Sequence, residues 1–247
     1  MKILLVGPSS RVRNFDHNYF KKKKEENYKI VSYSASIKYF KEINFKPDYF
    51  SFLDPYTIAV DIDSYEKDSF LNNINLLVAD FYEDNFEKFY NCGLTCGRLL
   101  KNKSLTRRVQ NLDFNNIFNN VHKYDVNSVN MGNNNFESYK WSNEYEFGKN
   151  AIFFSSYGRF NTDKFSCFLL PLVLYHFKNI DSITCVGFGD LDVERCFPDP
   201  LQPDKKMIGY EEFKYSFNLL WPIIKDYLKC NKIDIIFENE NYFSKAF

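Results

Sequence analysis

The sequence lacks the features that mark several common protein classes. Its 32 basic and 32 acidic residues leave a formal net charge of zero, so the positive field of a nucleic-acid-binding protein is missing. No run of eighteen apolar residues predicts a membrane span, and the apolar stretch Ile3–Val6 is too short for a signal peptide. We therefore expect a cytoplasmic protein with no transmembrane segment and no nucleic-acid partner.

Metal ligands are also scarce. The chain has three histidines and six cysteines, and the pair Cys92 and Cys96 has no second pair at the spacing of a zinc site. Cys185 lies within an apolar strand pattern, which predicts a reduced thiol in the core. The lysine run Lys21–Lys24 is typical of a solvated helix face and leaves peripheral contact with an anionic membrane open. We predict no metal and no required cofactor.

Short apolar runs alternate with stretches compatible with helices. The predicted strands are 2–6, 29–33, 49–53, 74–79, 151–154, 182–186 and 233–237, and the predicted helices include 11–26, 37–44, 64–72, 162–177 and 210–229. Continuous apolar strands that alternate with helices are typical of a parallel sheet covered on both faces. The prediction is an α/β fold with a doubly wound, mostly parallel, Rossmann-like sheet.

One segment interrupts this regular pattern. Residues 101–150 are rich in Asn, Lys and Ser and include the run Asn133–Asn135. We expect residues 1–247 to form a single domain in which 101–150 is an irregular insertion, either a long loop or a small helical unit. The insertion could form a flap over the site or a variable excursion without function, and its role and the oligomeric state stay open.

Small and polar residues follow several of the predicted strands. Ligands of open parallel sheets bind beyond the carboxyl ends of the strands, where such residues would gather. The turn Gly7–Ser10 leads into a helix, and its backbone N–H groups suit a phosphate, although a serine-capped turn explains it equally well. Asp54 could bind a ribose hydroxyl or fix a turn with Pro55, and the pair Asp190 and Asp192 is weak support for a metal site.

The order and spacing of these segments resemble a known group of proteins. The matching segments are Gly7–Ser9, Ser32–Ser36, Pro47-Asp48 with Asp54-Pro55, Phe165–Cys167, Gly187–Asp190 and Asn241–Ser244. Together they resemble the bacterial family 42 sialyltransferases and their relatives, the motility-associated factors and pterin-pyrophosphokinase-like proteins, over about 1–60 and 150–247. The resemblance implies a glycosyltransferase A-type variant of the Rossmann-like fold. It also implies a nucleotide site made of Gly7, Pro8, Ser9, Ser10, Ser34, Asp54, Ser166 and Gly187.

The catalytic residues of that group are only partly matched. The family's general base is a histidine before the long C-terminal helix, and Gly209–Glu212 occupies that place here. The base could be Tyr210, if a nearby cation lowered its pKa from about 10, or a desolvated Glu211 or Glu212, or catalysis could be lost. The remaining candidates are Asp190 at a strand end and the cations Arg195, Lys205 and Lys206, which could stabilise a leaving phosphate.

The resemblance predicts a glycosyltransferase that binds a nucleotide sugar. The donor would be a sialic-acid-like sugar linked to CMP, and the acceptor would be a glycan on a surface polysaccharide or glycoprotein. A phosphotransferase of the pyrophosphokinase kind is the first alternative, and it would require magnesium. A non-catalytic subunit that binds nucleotide or sugar is the second, and the missing histidine favours it.

Overall fold

The fold is described from a computed structural model. It describes residues 1–52, 69–79, 113–124, 126–130, 151–155, 169–188, 221–222 and 224–238. The strands within these ranges are β1 Lys2–Val6, β2 Tyr28–Tyr33, β3 Tyr49–Ser51, β4 Asn75–Ala79, β5 Val121–Tyr124, β6 Val126–Asn130, β7 Ala151–Ser155, β8 Ser182–Val186 and β9 Asp234–Phe237.

Seven of these strands form one sheet in which every neighbouring pair is parallel. Their order is β5-β4-β3-β2-β1-β8-β9, and β6 and β7 form a separate two-stranded parallel sheet. The chain builds outward from β1 to β5 in one direction, then returns to place β8 on the other side of β1. The predicted doubly wound, Rossmann-like α/β fold is therefore confirmed.

Burial explains which strands occupy the centre. Four consecutive residues of β1, Ile3–Val6, are completely buried, as expected for a strand covered on both faces. In β9 exposed residues alternate with half-buried ones, and Ile236 is 51% exposed. The continuous apolar run thus marks the middle of the sheet, and the alternating run marks its edge.

Helices cover both faces of the sheet. The α-helices are α1 His17–Glu25, α2 Ser36–Glu42 and α3 Leu170–His176, and short 3-10 helices span Ser10–Asn14, Leu71–Asn73 and Phe114–Asn116. Residues 221–222 and 224–230 are also helical.

The predicted helix 11–26 is divided into two. Phe15 has extended backbone (φ −117°), and the Asp16 carboxylate accepts a hydrogen bond of 2.9 Å from the Tyr19 N–H. Asp16 therefore caps the N-terminus of α1, and a new helix begins there because aspartate satisfies one of its unpaired N–H groups.

The two faces can be assigned from residues that alternate along β3. Tyr49 contacts His176 and Phe177 at the end of α3, whereas Phe50 stacks on Phe118 from the opposite side. Ser36 of α2 contacts a serine of β2 that is the register partner of Phe50. Side chains of adjacent parallel strands at one register position share a face. Hence α2 and α3 lie on opposite faces of the sheet.

The segment 101–150 contains more regular structure than the sequence suggested. Residues 121–124 form β5, which pairs with β4 at the edge of the main sheet, and 126–130 form β6. The sequence Val121–Tyr124 mixes polar and apolar residues, so it lacks the continuous apolar run of the central strands. A flap over the site stays a prediction. Among the described residues no helix is long and apolar enough to cross a membrane.

Candidate functional site

The strand order changes direction between β1 and β8, and two glycines lie at that point. Val6 and Val186 are register partners at the carboxyl ends of these strands, and Gly7 and Gly187 follow them directly. In doubly wound sheets the crevice beyond such a reversal is the usual ligand site, because the chain leaves the two strands toward opposite faces. The structure therefore brings two of the predicted nucleotide-binding residues together.

Gly7 and Gly187 are in direct backbone contact. The Gly7 N–H donates a hydrogen bond of 2.8 Å to the Val186 carbonyl. A Cβ atom at Gly7 would lie 2.3 Å from the Gly187 carbonyl oxygen, and Gly187 itself has φ +70°. Both positions thus require glycine: Gly7 because a side chain would have no space, and Gly187 because of both space and its backbone conformation.

The turn after β1 uses several of its polar groups internally. The Ser9 N–H donates to the Gly187 carbonyl at 3.2 Å, and the Ser9 hydroxyl accepts from the Arg11 N–H at 3.2 Å. Ser9 is 3% exposed, whereas Pro8 and Ser10 are half-buried. These contacts are those of a capped turn. Phosphate binding by Gly7–Ser10 stays a prediction, and Ser10 is the serine of the turn that ligands can approach.

Aromatic rings lie beside the two glycines. A Cβ built on Gly7 would approach the Phe188 ring to 2.8 Å, and the ring of Phe188 lies 6.4 Å from that of Tyr33 with an interplanar angle of 35°. Both side chains are about 5% exposed. The carboxyl edge therefore has an apolar, aromatic wall next to the contact between Gly7 and Gly187.

A buried pair of serines joins the carboxyl ends of β1 and β2. The Ser36 hydroxyl lies 2.9 Å from the Val6 carbonyl oxygen and accepts a 3.0 Å hydrogen bond from the Tyr33 N–H. Its oxygen is also 2.8 Å from that of Ser32, and both serines are fully buried. Each hydroxyl has a partner, so this pair stabilises the edge and leaves no polar group exposed to a ligand.

Ser34, which the resemblance places against the nucleotide, has an unusual conformation. Its φ is 54°, and its N–H donates to the Ser51 carbonyl at 2.9 Å. The other described non-glycine residues with positive φ are Asn27, Asn44, Asn179 and Lys232, and each of them precedes a strand. Ser34 instead follows a strand, at the edge where open parallel sheets usually bind their ligands, and serine is poorly suited to left-handed backbone.

Glu238 places a carboxylate just after β9 at the same edge, but other side chains bind it. It lies 3.1 Å from the Lys23 ammonium and accepts a 3.1 Å hydrogen bond from the Tyr19 hydroxyl. Burial and the Glu238 carboxylate raise the pKa of Tyr19, so the phenol keeps its proton. Glu238 therefore links β9 to α1 and is a poor candidate for a general base.

The remaining predicted site residues lie outside the described residues. They are Asp54, Ser166, Asp190, Arg195, Lys205, Lys206, Tyr210, Glu211 and Glu212. Their roles in binding and catalysis stay predictions. In the described part of the chain no group of three or more His, Cys, Asp or Glu side chains is placed to hold a metal ion.

The structure also reveals a polar cluster that the sequence did not indicate. His122 and His176, isolated in the sequence, have ring centroids 4.7 Å apart, and Tyr49 lies 5.2 Å from His176. Burial and then the nearby His122 lower the pKa of His176 to about 4. This histidine cluster (Tyr49, His122 and His176) lies where β3 and β5 begin, and His122 has the same register position in the sheet as Ser51. As expected from sequence, His176 is a packed residue.

Comparisons with family models, with curated proteins and with solved structures find no match to this chain. The resemblance to the sialyltransferase group stays a prediction, and the fold and the geometry of the carboxyl edge are the observations on which a function can be proposed.

Proposed function

We propose that this chain binds a nucleotide-activated sugar at the carboxyl edge of its sheet and transfers the sugar to a glycan acceptor. The observation that carries the proposal is the reversal of strand order between β1 and β8, with Gly7 and Gly187 in contact at that point. Doubly wound sheets repeatedly bind nucleotides at such a reversal. The resemblance adds the donor class, a CMP-linked acidic sugar.

The local charges are compatible with an anionic ligand. Among the described residues, this edge presents neutral serines, glycines and aromatic side chains, and the Glu238 carboxylate is paired with the Lys23 ammonium. An uncompensated carboxylate would repel the phosphate of the donor. The described part of this edge therefore supplies an apolar wall and neutral polar groups, and Arg195, Lys205 and Lys206 are proposed to supply the positive charge.

Transfer requires a base that takes the proton of the acceptor hydroxyl. We assign this role to Glu211 or Glu212, or to Tyr210 if a cation stabilises its phenolate, with Asp190, which follows β8 in the sequence, as a further acidic group. The cations Arg195, Lys205 and Lys206 would stabilise the leaving CMP. This assignment predicts catalysis without a metal ion.

Thermal unfolding with CMP, UDP, GDP and ATP, each with and without EDTA, tests the binding step. A ligand that binds only the folded state raises its stability by mass action, by about 2.7 kcal/mol at a hundredfold excess over Kd. We expect CMP to raise the Tm equally with and without EDTA. If no nucleotide changes the Tm, the proposal is wrong.

Transfer itself is tested by CMP release from a CMP-linked donor in the presence of oligosaccharide acceptors. The double variant Glu211→Gln, Glu212→Gln is expected to retain CMP binding and lose release, with Tyr210→Phe as the matched comparison. Magnesium-dependent stabilisation by ATP would instead favour a phosphotransferase. CMP binding without release by the wild-type chain would favour a non-catalytic subunit.

A further inference from the structure

Among the described residues of the main sheet, one buried serine has an unsatisfied hydroxyl. Ser51, the last residue of β3, is fully buried, and its Oγ has no hydrogen-bond partner in the part of the chain that the structure describes. Burying a hydroxyl without a partner costs free energy, so such groups are rare in folded proteins, and each one calls for an explanation such as strain, a catalytic role or a bound water or ion.

The contrast with its neighbours makes this serine unusual. Ser32 and Ser36 are also fully buried at the same edge, yet their hydroxyls lie 2.8 Å apart, and Ser36 has backbone partners as well. The sheet thus satisfies two buried serines and leaves the third unpaired. If this edge simply tolerated buried hydroxyls without partners, Ser32 and Ser36 would also be unpaired.

The position of Ser51 shows which groups surround it. Alternation along β3 places Ser51 on the same face as Tyr49 and opposite to Phe50. Its register partner in β2 is Tyr33, whose ring faces that of Phe188 beside Gly7. The unpaired hydroxyl and the aromatic wall therefore lie on one face of the sheet, at one edge.

The burial of Ser51 and the nearby aromatic rings indicate which part of a nucleotide would bind here. Because protein atoms cover Ser51, a ligand atom meets its hydroxyl only if neighbouring side chains move aside, and that atom must then also leave water. A phosphate would bring its charge into that environment at great cost. A nucleobase is neutral and flat, presents hydrogen-bonding atoms along its edge, and packs against aromatic rings. The sugar and phosphate would then extend toward Gly7 and Ser10.

We propose that Ser51 hydrogen-bonds the nucleobase of the bound nucleotide, with Tyr33 and Phe188 as the apolar wall of a base subsite. This inference rests on the proposed nucleotide binding. It extends that proposal, because Ser51 is at a variable position between Pro47-Asp48 and Asp54-Pro55 and is not one of the matched residues of the family resemblance.

The test compares Ser51→Ala with Ser32→Ala, two fully buried serines one strand apart on opposite faces. For each variant, Tm is measured without ligand, and Kd is measured by calorimetry for CMP and for ribose 5-phosphate, which lacks the base. Ser51→Ala should keep or raise the Tm, weaken CMP about tenfold and leave ribose 5-phosphate unchanged. Ser32→Ala should lower the Tm and leave both affinities unchanged.

Three results would overturn the inference. If Ser51→Ala binds CMP as the wild type does, the base subsite is wrong while nucleotide binding stands. If it weakens CMP and ribose 5-phosphate equally, Ser51 does not contact the base. If the wild-type chain binds no nucleotide, the proposed function fails and the base subsite with it.

Discussion

Two regions of the main sheet differ in the size and satisfaction of their side chains. At the carboxyl edge, Gly7 and Gly187 bring backbones into contact, and Ser51 leaves a buried hydroxyl unpaired. Where β3 and β5 begin, the histidine cluster fills the space with large rings that contact one another and Phe177. A region filled by its own side chains is suited to stability, and a region with unmet hydrogen bonding is suited to a ligand.

Backbone conformation also differs between the residues before strands and those after them. In the described residues, the positive-φ non-glycine positions before strands are three asparagines and Lys232, and asparagine tolerates that conformation well. After a strand, the same conformation is adopted by Ser34, next to the unpaired Ser51. Conformational strain and an unmet hydrogen bond thus coincide at the carboxyl edge.

The largest effect is expected at the contact between the two glycines. Gly7→Ala places a Cβ 2.3 Å from the Gly187 carbonyl oxygen, so β1 and β8 must separate at their carboxyl ends. We expect the free energy of unfolding to fall by about 3 kcal/mol in urea titration. The control Pro8→Ala, at the half-buried next position, should change it by at most about 1 kcal/mol. Equal losses in both variants would contradict a close contact specific to Gly7.

A smaller loss is expected from the satisfied serine pair. Ser36→Ala removes the hydroxyl that accepts from the Tyr33 N–H and leaves that buried N–H and the Ser32 hydroxyl short of a partner. The free energy of unfolding should fall by about 2 kcal/mol. Ser51→Ala is the matched comparison, since it removes a buried hydroxyl that has no partner. A loss in Ser51→Ala as large as that in Ser36→Ala would remove the distinction between these serines.

The histidine cluster should make the stability of the fold depend on pH. The folded-state pKa of His176 is lowered from 6.5 to about 4, by burial and then by His122, so the unfolded state binds more protons between these values. Stability from this group is therefore complete above about pH 6.5 and is lost as the pH falls toward 4. Because the ring is only half-buried, we expect a change of roughly 1 kcal/mol.

His176→Gln should flatten the dependence of unfolding free energy on pH between 4 and 6.5, measured by urea titration at each pH. His122→Gln should reduce its slope by a smaller amount, because it removes the second cause and leaves the burial. An unchanged slope in His176→Gln would show that this cluster is not the source.

Part of the fold was predictable because local sequence determines it. The strand 182–186 was predicted with its observed bounds, since a continuous apolar run between turn residues is typical of a buried parallel strand. The break before α1 was missed, although Asp16 is a common capping residue. β5 was missed because its four residues mix polar and apolar types and are held in the sheet by pairing with β4, which is distant in sequence.

The candidate site also has features that local sequence predicts and features that it does not. Glycine and serine after a strand are visible in the sequence, so Gly7, Ser34 and Gly187 were predicted. The contact between His122 and His176, separated by more than fifty residues, depends on tertiary structure alone. The unpaired state of Ser51 depends on what its neighbours leave unsatisfied, and no residue type or spacing signals it.

The account depends on an anionic nucleotide binding at the carboxyl edge. Ser10→Asp and Ser182→Asp each place one carboxylate at a half-buried serine, the first in the turn after β1 and the second at the amino end of β8. Calorimetric titration with CMP should give a Kd at least about tenfold weaker for Ser10→Asp, through repulsion of the phosphate, and an unchanged Kd for Ser182→Asp. Equal affinity in the two variants would contradict the assignment of the site to this edge.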